Sequence, residues 1–155
     1  MITALLILHG LVGVALLGAV THQALAVMGR AEPPRTGSFF KRFRSTDAAA
    51  YSNAVVALFV LASLMGVVLY PQYREIVRPV LQTLDLRAAN GAFELKEHFS
   101  ALARVMLPAY WASWRQPLAA EYATVRLWLT WIVCVIVWWN FLVGDILAAI
   151  KGLFP

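Results

Sequence analysis

Three ionisable side chains lie at similar distances from the ends of predicted membrane-spanning segments, where a charge is costly. His9 lies in an uncharged run near the N-terminus, His98 in a mixed segment and Asp145 in a Trp-rich run near the C-terminus. At a rise of about 1.5 Å per residue, each falls roughly 10 Å from one end of its helix. Ionisable groups at such depth in a membrane usually face a bundle interior and mark a functional site. We therefore predict that these three side chains share one layer of the protein.

Haem ligation is the most specific function that these residues could have. His9 and His98 would be opposed axial ligands of a b-type haem between the first and third helices, because bundles build cofactor sites from facing helices. Gly10 and Gly13 would leave room for the macrocycle, although glycines also simply allow helices to pack closely. His22 does not extend the pattern, because thirteen residues of helix place it about 140° around from His9.

A polar stripe on the third helix offers a second chemistry. At helical spacing one face collects most of its ionisable residues: Glu94, Glu97, His98 and Arg104. Lys96 lies off this face. With Asp145, the stripe predicts a polar cluster that holds a metal ion or relays protons. The alternative is an internal salt-bridge network in which the carboxylates neutralise Arg104.

The composition places these residues in a membrane protein. Of 155 residues, 61% are hydrophobic and 14% are charged, the inverse of a globular balance. The net charge of +5 comes from basic residues that lie mostly between the apolar runs, which suits lipid head groups and argues against nucleic acid. The single cysteine, Cys134, excludes a disulfide framework. Because the sequence has no nucleotide-binding glycine loop and no nucleophile with its base, we predict no independent catalytic activity.

The apolar runs predict an all-α membrane protein whose single domain, residues 1–155, is a bundle of four transmembrane helices. A short amphipathic surface helix is expected between the second and third crossings. Pro71 is interpreted as the stop of the second helix, and Pro79 as an interruption or start of the surface helix. The predicted segments are crossings at 2–28, 50–70, 91–114 and 127–150, with the surface segment at 71–90.

The distribution of basic residues predicts the orientation. With four crossings and the N-terminus outside, the loop over residues 29–47 and the connection over residues 115–126 face the cytoplasm with seven cations. That arrangement obeys the positive-inside tendency. With three crossings the basic stretch over residues 74–126 would lie outside. We therefore predict an integral protein of a bacterial cytoplasmic membrane with its N-terminus outside.

The layout resembles small four-helix membrane subunits of respiratory and photosynthetic complexes, and cytochrome-b-like anchors, at the level of architecture. The resemblance implies a structural or accessory subunit that packs among lipids and other integral membrane subunits of an electron-transfer or energy-converting complex. The alternative is a b-type haem-binding or proton-handling membrane protein that uses His9 and His98. A reduced-minus-oxidised absorption spectrum separates the two hypotheses.

Overall fold

The described part of the chain is built from four long helices and one short helix. A computed structural model describes residues 2–28, 48–115 and 120–153, with side chains to residue 150. No strand occurs in these residues, and the predicted all-α bundle with a short helix between its second and third members is confirmed. The helices are α1 (Ile2–Val27), α2 (Tyr51–Gln72), α3 (Arg78–Thr83), α4 (Arg87–Ser113) and α5 (Ala123–Leu153), with a π-helical turn over Tyr73–Val77 and a 3-10 turn over Ala120–Tyr122.

Three stretches are long and apolar enough to cross a membrane: Ile2–Val27, Tyr51–Thr83 and Ala120–Ile150. Each exceeds the roughly 20 residues that a bilayer core requires. The chain therefore has the helices of an integral membrane protein. α4 is different, because its 27 residues carry several charges and it is not among the apolar stretches of the described residues. The predicted basic loop over residues 29–47 lies outside the described residues.

α4 nevertheless lies inside the bundle, antiparallel to α5. Near one end of the pair, Asn140 Nδ2 donates a hydrogen bond to Ser100 Oγ at 2.9 Å. Near the other end, Trp114 Nε1 donates to Thr130 Oγ1 at 3.0 Å. The partner residue moves back along α5 as the chain advances along α4. The two helices therefore run side by side through the apolar part of α5.

α1 packs along both α2 and α5, on the opposite side of the bundle from α4. Its alignment with α2 is antiparallel. The rings of His22 and Tyr51 lie 4.7 Å apart near one end, and a Cβ added at Gly66 would lie 3.9 Å from His9 Cε1 near the other. Consecutive long helices thus alternate in direction, and α1 and α4 are parallel diagonal partners, as the sequence predicts.

The expectation that Pro71 ends the second helix is wrong. The helix continues through Pro71 to Gln72, passes into the π-helical turn, and goes on as α3 to Thr83. A proline has no N–H for the carbonyl four residues earlier, and both prolines and π turns bend helices without ending them. Pro79 falls in the first turn of α3, where the missing N–H costs little.

α3 packs the end of this long helix against α5. Leu81 is 1% exposed and is buried with Val143 and Leu147 of α5. The turn into α4 places Asp85 at φ 53°, a left-handed conformation that aspartate adopts more readily than most residues. The surface helix predicted over residues 71–90 is thus shorter than expected. α4 begins four residues earlier than predicted, at Arg87.

Polar contacts close the opposite end of the bundle. Tyr110 and Gln23 are both fully buried, and the Tyr110 hydroxyl donates a hydrogen bond to Gln23 Oε1. Gln23 Nε2 in turn donates to the carbonyl oxygen of Ala48 at 2.8 Å. This chain of contacts joins α4, α1 and the start of α2. This end of the bundle, where Gln23 meets Tyr110, is therefore closely packed, and the open space lies towards the N-terminus of α1.

Candidate ligand cavity within the bundle

A cavity of about 400 Å³ lies between the four long helices. Its volume falls in the range of about 300–1,000 Å³ that is typical of small-molecule sites. The π-helical turn contributes Tyr73 and Val77 to the lining. Most of the wall is apolar, and aromatic rings supply much of it: Phe59, Tyr70, Tyr73, Phe93 and Phe141.

Glycines of α1 and α5 form part of the wall. A Cβ added at Gly10 or Gly144 would meet no atom within 4 Å. A Cβ added at Gly13 would lie 3.6 Å from the ring of Phe141, in ordinary packing contact. Gly10 therefore leaves open space beside His9, whereas Gly13 serves close packing against α5.

Ionisable groups of three helices gather at this cavity: His9 of α1, Lys96, Glu97 and Arg104 of α4, and Asp145 of α5. Lys96 Nζ lies 3.2 Å from Glu97 Oε1, and both residues line the cavity together with His9. At neutral pH the described lining carries two cations and two carboxylates. Its formal charge is therefore balanced.

Two polar atoms of the lining residues are buried without a hydrogen-bond partner in the described part of the chain. They are Nδ1 of His9 and Oδ1 of Asn140. The other end of the Asn140 amide is satisfied by Ser100. Leaving a buried polar atom unpaired costs about 1–3 kcal/mol, so such atoms are normally satisfied by water or a bound molecule.

No known protein family, curated protein or solved structure matches this chain. The chemistry of the cavity therefore has to be argued from its own residues. Its lining combines apolar and aromatic walls with a small number of polar groups, the usual constitution of a site for a small organic molecule. Within the described residues, no group of three or more side chains is arranged to hold a metal ion.

His98 does not reach the cavity. Its side chain is exposed, and its Nδ1 lies 2.7 Å from the carbonyl oxygen of Glu94 on the same helix. Glu94 also lies outside, where its Oε1 is 3.8 Å from Arg78 Nη2. The inward orientation predicted for these two residues is therefore wrong. Haem ligation by His9 and His98 stays a prediction, and the orientation of His98 gives it no support.

The remaining members of the predicted polar cluster do line the cavity. Glu97 and Arg104 contribute from α4, and Asp145 contributes from α5. The structure thus places three of the predicted cluster residues at one cavity with His9. Of the three side chains predicted to share a layer, His9 and Asp145 line this cavity and His98 does not. The salt-bridge network predicted around Arg104 does not form among the described residues, where no ion pair joins Arg104 to a carboxylate. The ion pair in the described lining is Lys96–Glu97, and the sequence places Lys96 off the polar stripe.

The rotation of α4 explains which polar residues face inwards. Its apolar residues recur every three or four positions, and Leu107 and Tyr110 are buried in the bundle core while Phe93 packs beside α5. This apolar spacing turns Lys96 and Ser100 to the cavity. An interpretation based on polar spacing alone misses both. The apolar period of the same helix would have found them.

His22 and Cys134 stand apart from the cavity lining, as the sequence indicates. His22 is 3% exposed and its ring packs against Tyr51. This contact lies where the C-terminal part of α1 meets the start of α2. Cys134 is buried in the main apolar core and forms no disulfide.

Proposed function

We propose that this chain is a structural or accessory subunit of a larger membrane complex, of the electron-transfer or energy-converting kind. It would lie in a bacterial cytoplasmic membrane with its N-terminus outside, among other integral membrane subunits. The observation that supports this proposal is the outward face of α4, which presents ionisable and apolar side chains together and has no partner within the described bundle.

The alignment of α4 with α5 supports a fourth crossing. α4 has 27 residues, a length of about 40 Å, which exceeds the roughly 30 Å hydrocarbon core. It runs antiparallel to α5 from the contact at Ser100 to the contact at Trp114. If α5 crosses the bilayer, α4 therefore passes through the same depth. Its cavity-facing charges would then be sheltered by the bundle, as intramembrane charges require.

The outward face of α4 consists of exposed residues only: Glu94, Leu95, His98, Leu102 and Val105. Val105 is 79% exposed, the highest value among the large apolar side chains. The Glu94 carboxylate has partners on this chain, since Asn90 Nδ2 donates to it at 3.1 Å and Arg78 Nη2 lies 3.8 Å away. An imidazole such as that of His98 facing lipid would be unfavourable, and such groups almost always face protein or water. A transmembrane helix of a neighbouring subunit, with a polar side chain opposite His98, would satisfy the imidazole and cover Leu102 and Val105.

The end of the bundle where Gln23 meets Tyr110 carries features that support the proposed orientation. The Arg115 guanidinium lies 4.0 Å from the Trp111 ring centroid, and that of Arg126 lies 5.6 Å from the Trp114 ring. Arginine and tryptophan together are typical of the membrane surface. Together with the basic loop over residues 29–47, this end carries seven cations against three acids. That excess favours the cytoplasmic side.

We expect Val105→Trp to prevent assembly and Val14→Trp to leave it intact. Both valines are exposed on bundle helices, Val14 at 54%, but only Val105 lies on the outward face of α4. A bulky ring there would hold the partner helix away. After extraction from native membranes in a mild detergent, wild type should migrate far above its 17.2 kDa protomer with other subunits in a fixed ratio. Val105→Trp should lower the assembled fraction at least ten-fold.

Three outcomes of this assembly experiment would contradict the proposal. They are migration of the wild-type protein as a protomer, assembly of wild type only with copies of itself, and assembly of Val105→Trp to the same extent as wild type. A defect shared by Val14→Trp would show that an added ring disturbs insertion in general, and the outward face would then have no special role.

A proton-handling membrane protein is a second candidate, favoured by the position of His9 beside the Lys96–Glu97 pair within the cavity. The haem-binding form of this candidate predicts a b-type band in the reduced-minus-oxidised spectrum of the purified protein. His9→Leu should abolish that band. A spectrum without the band would exclude the haem-binding form. The proton-handling form would then be tested by comparing proton transfer in the assembled complex between wild type and His9→Leu.

A further inference from the structure

We propose that the cavity binds a neutral, lipid-soluble molecule that carries a hydroxylated ring, of the quinol class. The inference goes beyond the role as a subunit and does not depend on it, since the cavity is formed by the four helices of a single chain. It rests on the charge, the hydrogen-bonding groups and the shape of the cavity lining.

The charge of the lining favours an uncharged occupant. Lys96 is paired with Glu97 at 3.2 Å, and the remaining charges of the described lining are one cation, Arg104, and one carboxylate, Asp145. An ionic molecule would bring an unbalanced charge into a largely apolar space, which is unfavourable at low dielectric. A neutral molecule brings none.

The unpaired polar atoms favour an occupant with a hydroxyl group. Oδ1 of Asn140 can only accept a hydrogen bond, so a partner for it must be a donor. Nδ1 of His9 can accept or donate, according to its tautomer. A ring hydroxyl can donate to either atom. Lys96 and Arg104 supply donors for a further oxygen on the same molecule.

The shape of the cavity suits a flat ring with an alkyl tail. Phe93 and Phe141 supply aromatic wall, and Gly10 and Gly144 leave it without side chains at two points. At the side, Ile2, Leu6 and Val67 line the cavity and are 45%, 48% and 65% exposed. The cavity lining therefore reaches the outer surface of α1 and α2, where an alkyl tail could extend into lipid.

The test uses the full chain in lipid nanodiscs and a decyl-substituted benzoquinol, kept reduced, as the probe. We expect saturable binding of one probe per chain by calorimetry, after subtraction of protein-free nanodiscs. Gly10→Leu should weaken binding at least ten-fold, because its side chain would occupy the space beside His9. Gly18→Leu is the matched control on the same helix: a Cβ there also meets nothing within 4 Å, but Gly18 does not line the cavity. It should bind as wild type does.

Three further measurements keep the inference falsifiable if Gly10→Leu folds poorly. Gly144→Leu fills the cavity from α5 and should have the same effect. Asn140→Leu removes the acceptor and should weaken quinol binding at least five-fold. Decylbenzene, which has the tail and ring without oxygen, should bind at least ten-fold more weakly than the quinol.

The inference would be overturned by any of three results. One is the absence of saturable quinol binding. Another is binding that neither cavity-filling variant weakens. The third is equal binding of decylbenzene and the quinol, which would show that the cavity takes any apolar chain and that its polar atoms select nothing.

Discussion

In intact cells, a cysteine introduced at Gln82 is expected to react with a membrane-impermeant maleimide, whereas one at Ala120 is expected to react only after permeabilisation. Both positions are exposed, and they lie at opposite ends of α4. A crossing α4 with an outside N-terminus places Gln82 outside and Ala120 inside. The experiment is done in a Cys134→Ala background, which removes the single native thiol.

The pattern of labelling distinguishes three topologies. Reaction of both cysteines in intact cells would mean that α4 does not cross the membrane, which would contradict the four-crossing topology. Reaction at Ala120 alone would reverse the orientation. Labelling of both after permeabilisation is the control that each thiol is accessible, and the Cys134→Ala parent should stay unlabelled throughout.

Tyr110→Ala is expected to lower the free energy of unfolding by about 3–5 kcal/mol, the cost of truncating a large buried ring. Tyr110 is fully buried in the main core and hydrogen-bonds to Gln23, so the variant loses packing and a buried polar contact together. Unfolding in mixed micelles, titrated with a denaturing detergent, would measure the difference. Tyr122→Ala is the control, because Tyr122 is 53% exposed and its loss should cost less than about 0.5 kcal/mol.

Tyr110→Phe separates the two contributions. It keeps the ring and removes the hydroxyl, so we expect a loss of about 1 kcal/mol, the usual scale for an interhelical hydrogen bond in a membrane protein. If Tyr110→Phe were as destabilising as Tyr110→Ala, the hydrogen bond and not the packing would hold this end together. If neither variant differed from Tyr122→Ala, the contacts of Tyr110 would contribute little to the free energy of unfolding.

The sequence predicts the apolar helices well because each is specified by a long apolar run, which depends only on residues that are neighbours along the chain. An uncharged run such as residues 2–28 specifies a helix by itself, and α1 covers nearly all of it. Pro71 misleads because a proline is a local signal, whereas the continuation of the helix depends on the distant contact of Leu81 with α5. Burial of α3 against the bundle stabilises a helical path through Pro71 that the local pattern disfavours.

The cavity was predictable in depth but not in its residues. Counting from helix ends predicts one depth for His9, His98 and Asp145, and two of them, His9 and Asp145, line the same cavity. The rotation of a helix about its axis is not fixed by depth. It depends on which side chains fill the core, and those of α4 turn Lys96 inwards and His98 outwards. Asn140 is a polar residue in an apolar run, and the sequence alone does not show its role. That role becomes clear only with its neighbour on α4, Ser100.

The antiparallel packing of α4 and α5 would affect how these two helices insert into the membrane during translation. α4 is synthesised first, and its charges make it a poor candidate for release into lipid from the insertion machinery on its own. α5 is apolar and offers Thr130 and Asn140 as partners along its length. If α4 crosses the membrane as proposed, we expect it to stay at the membrane surface during translation and to insert together with α5 as a helical hairpin, so that α5 completes the topology of the helix before it.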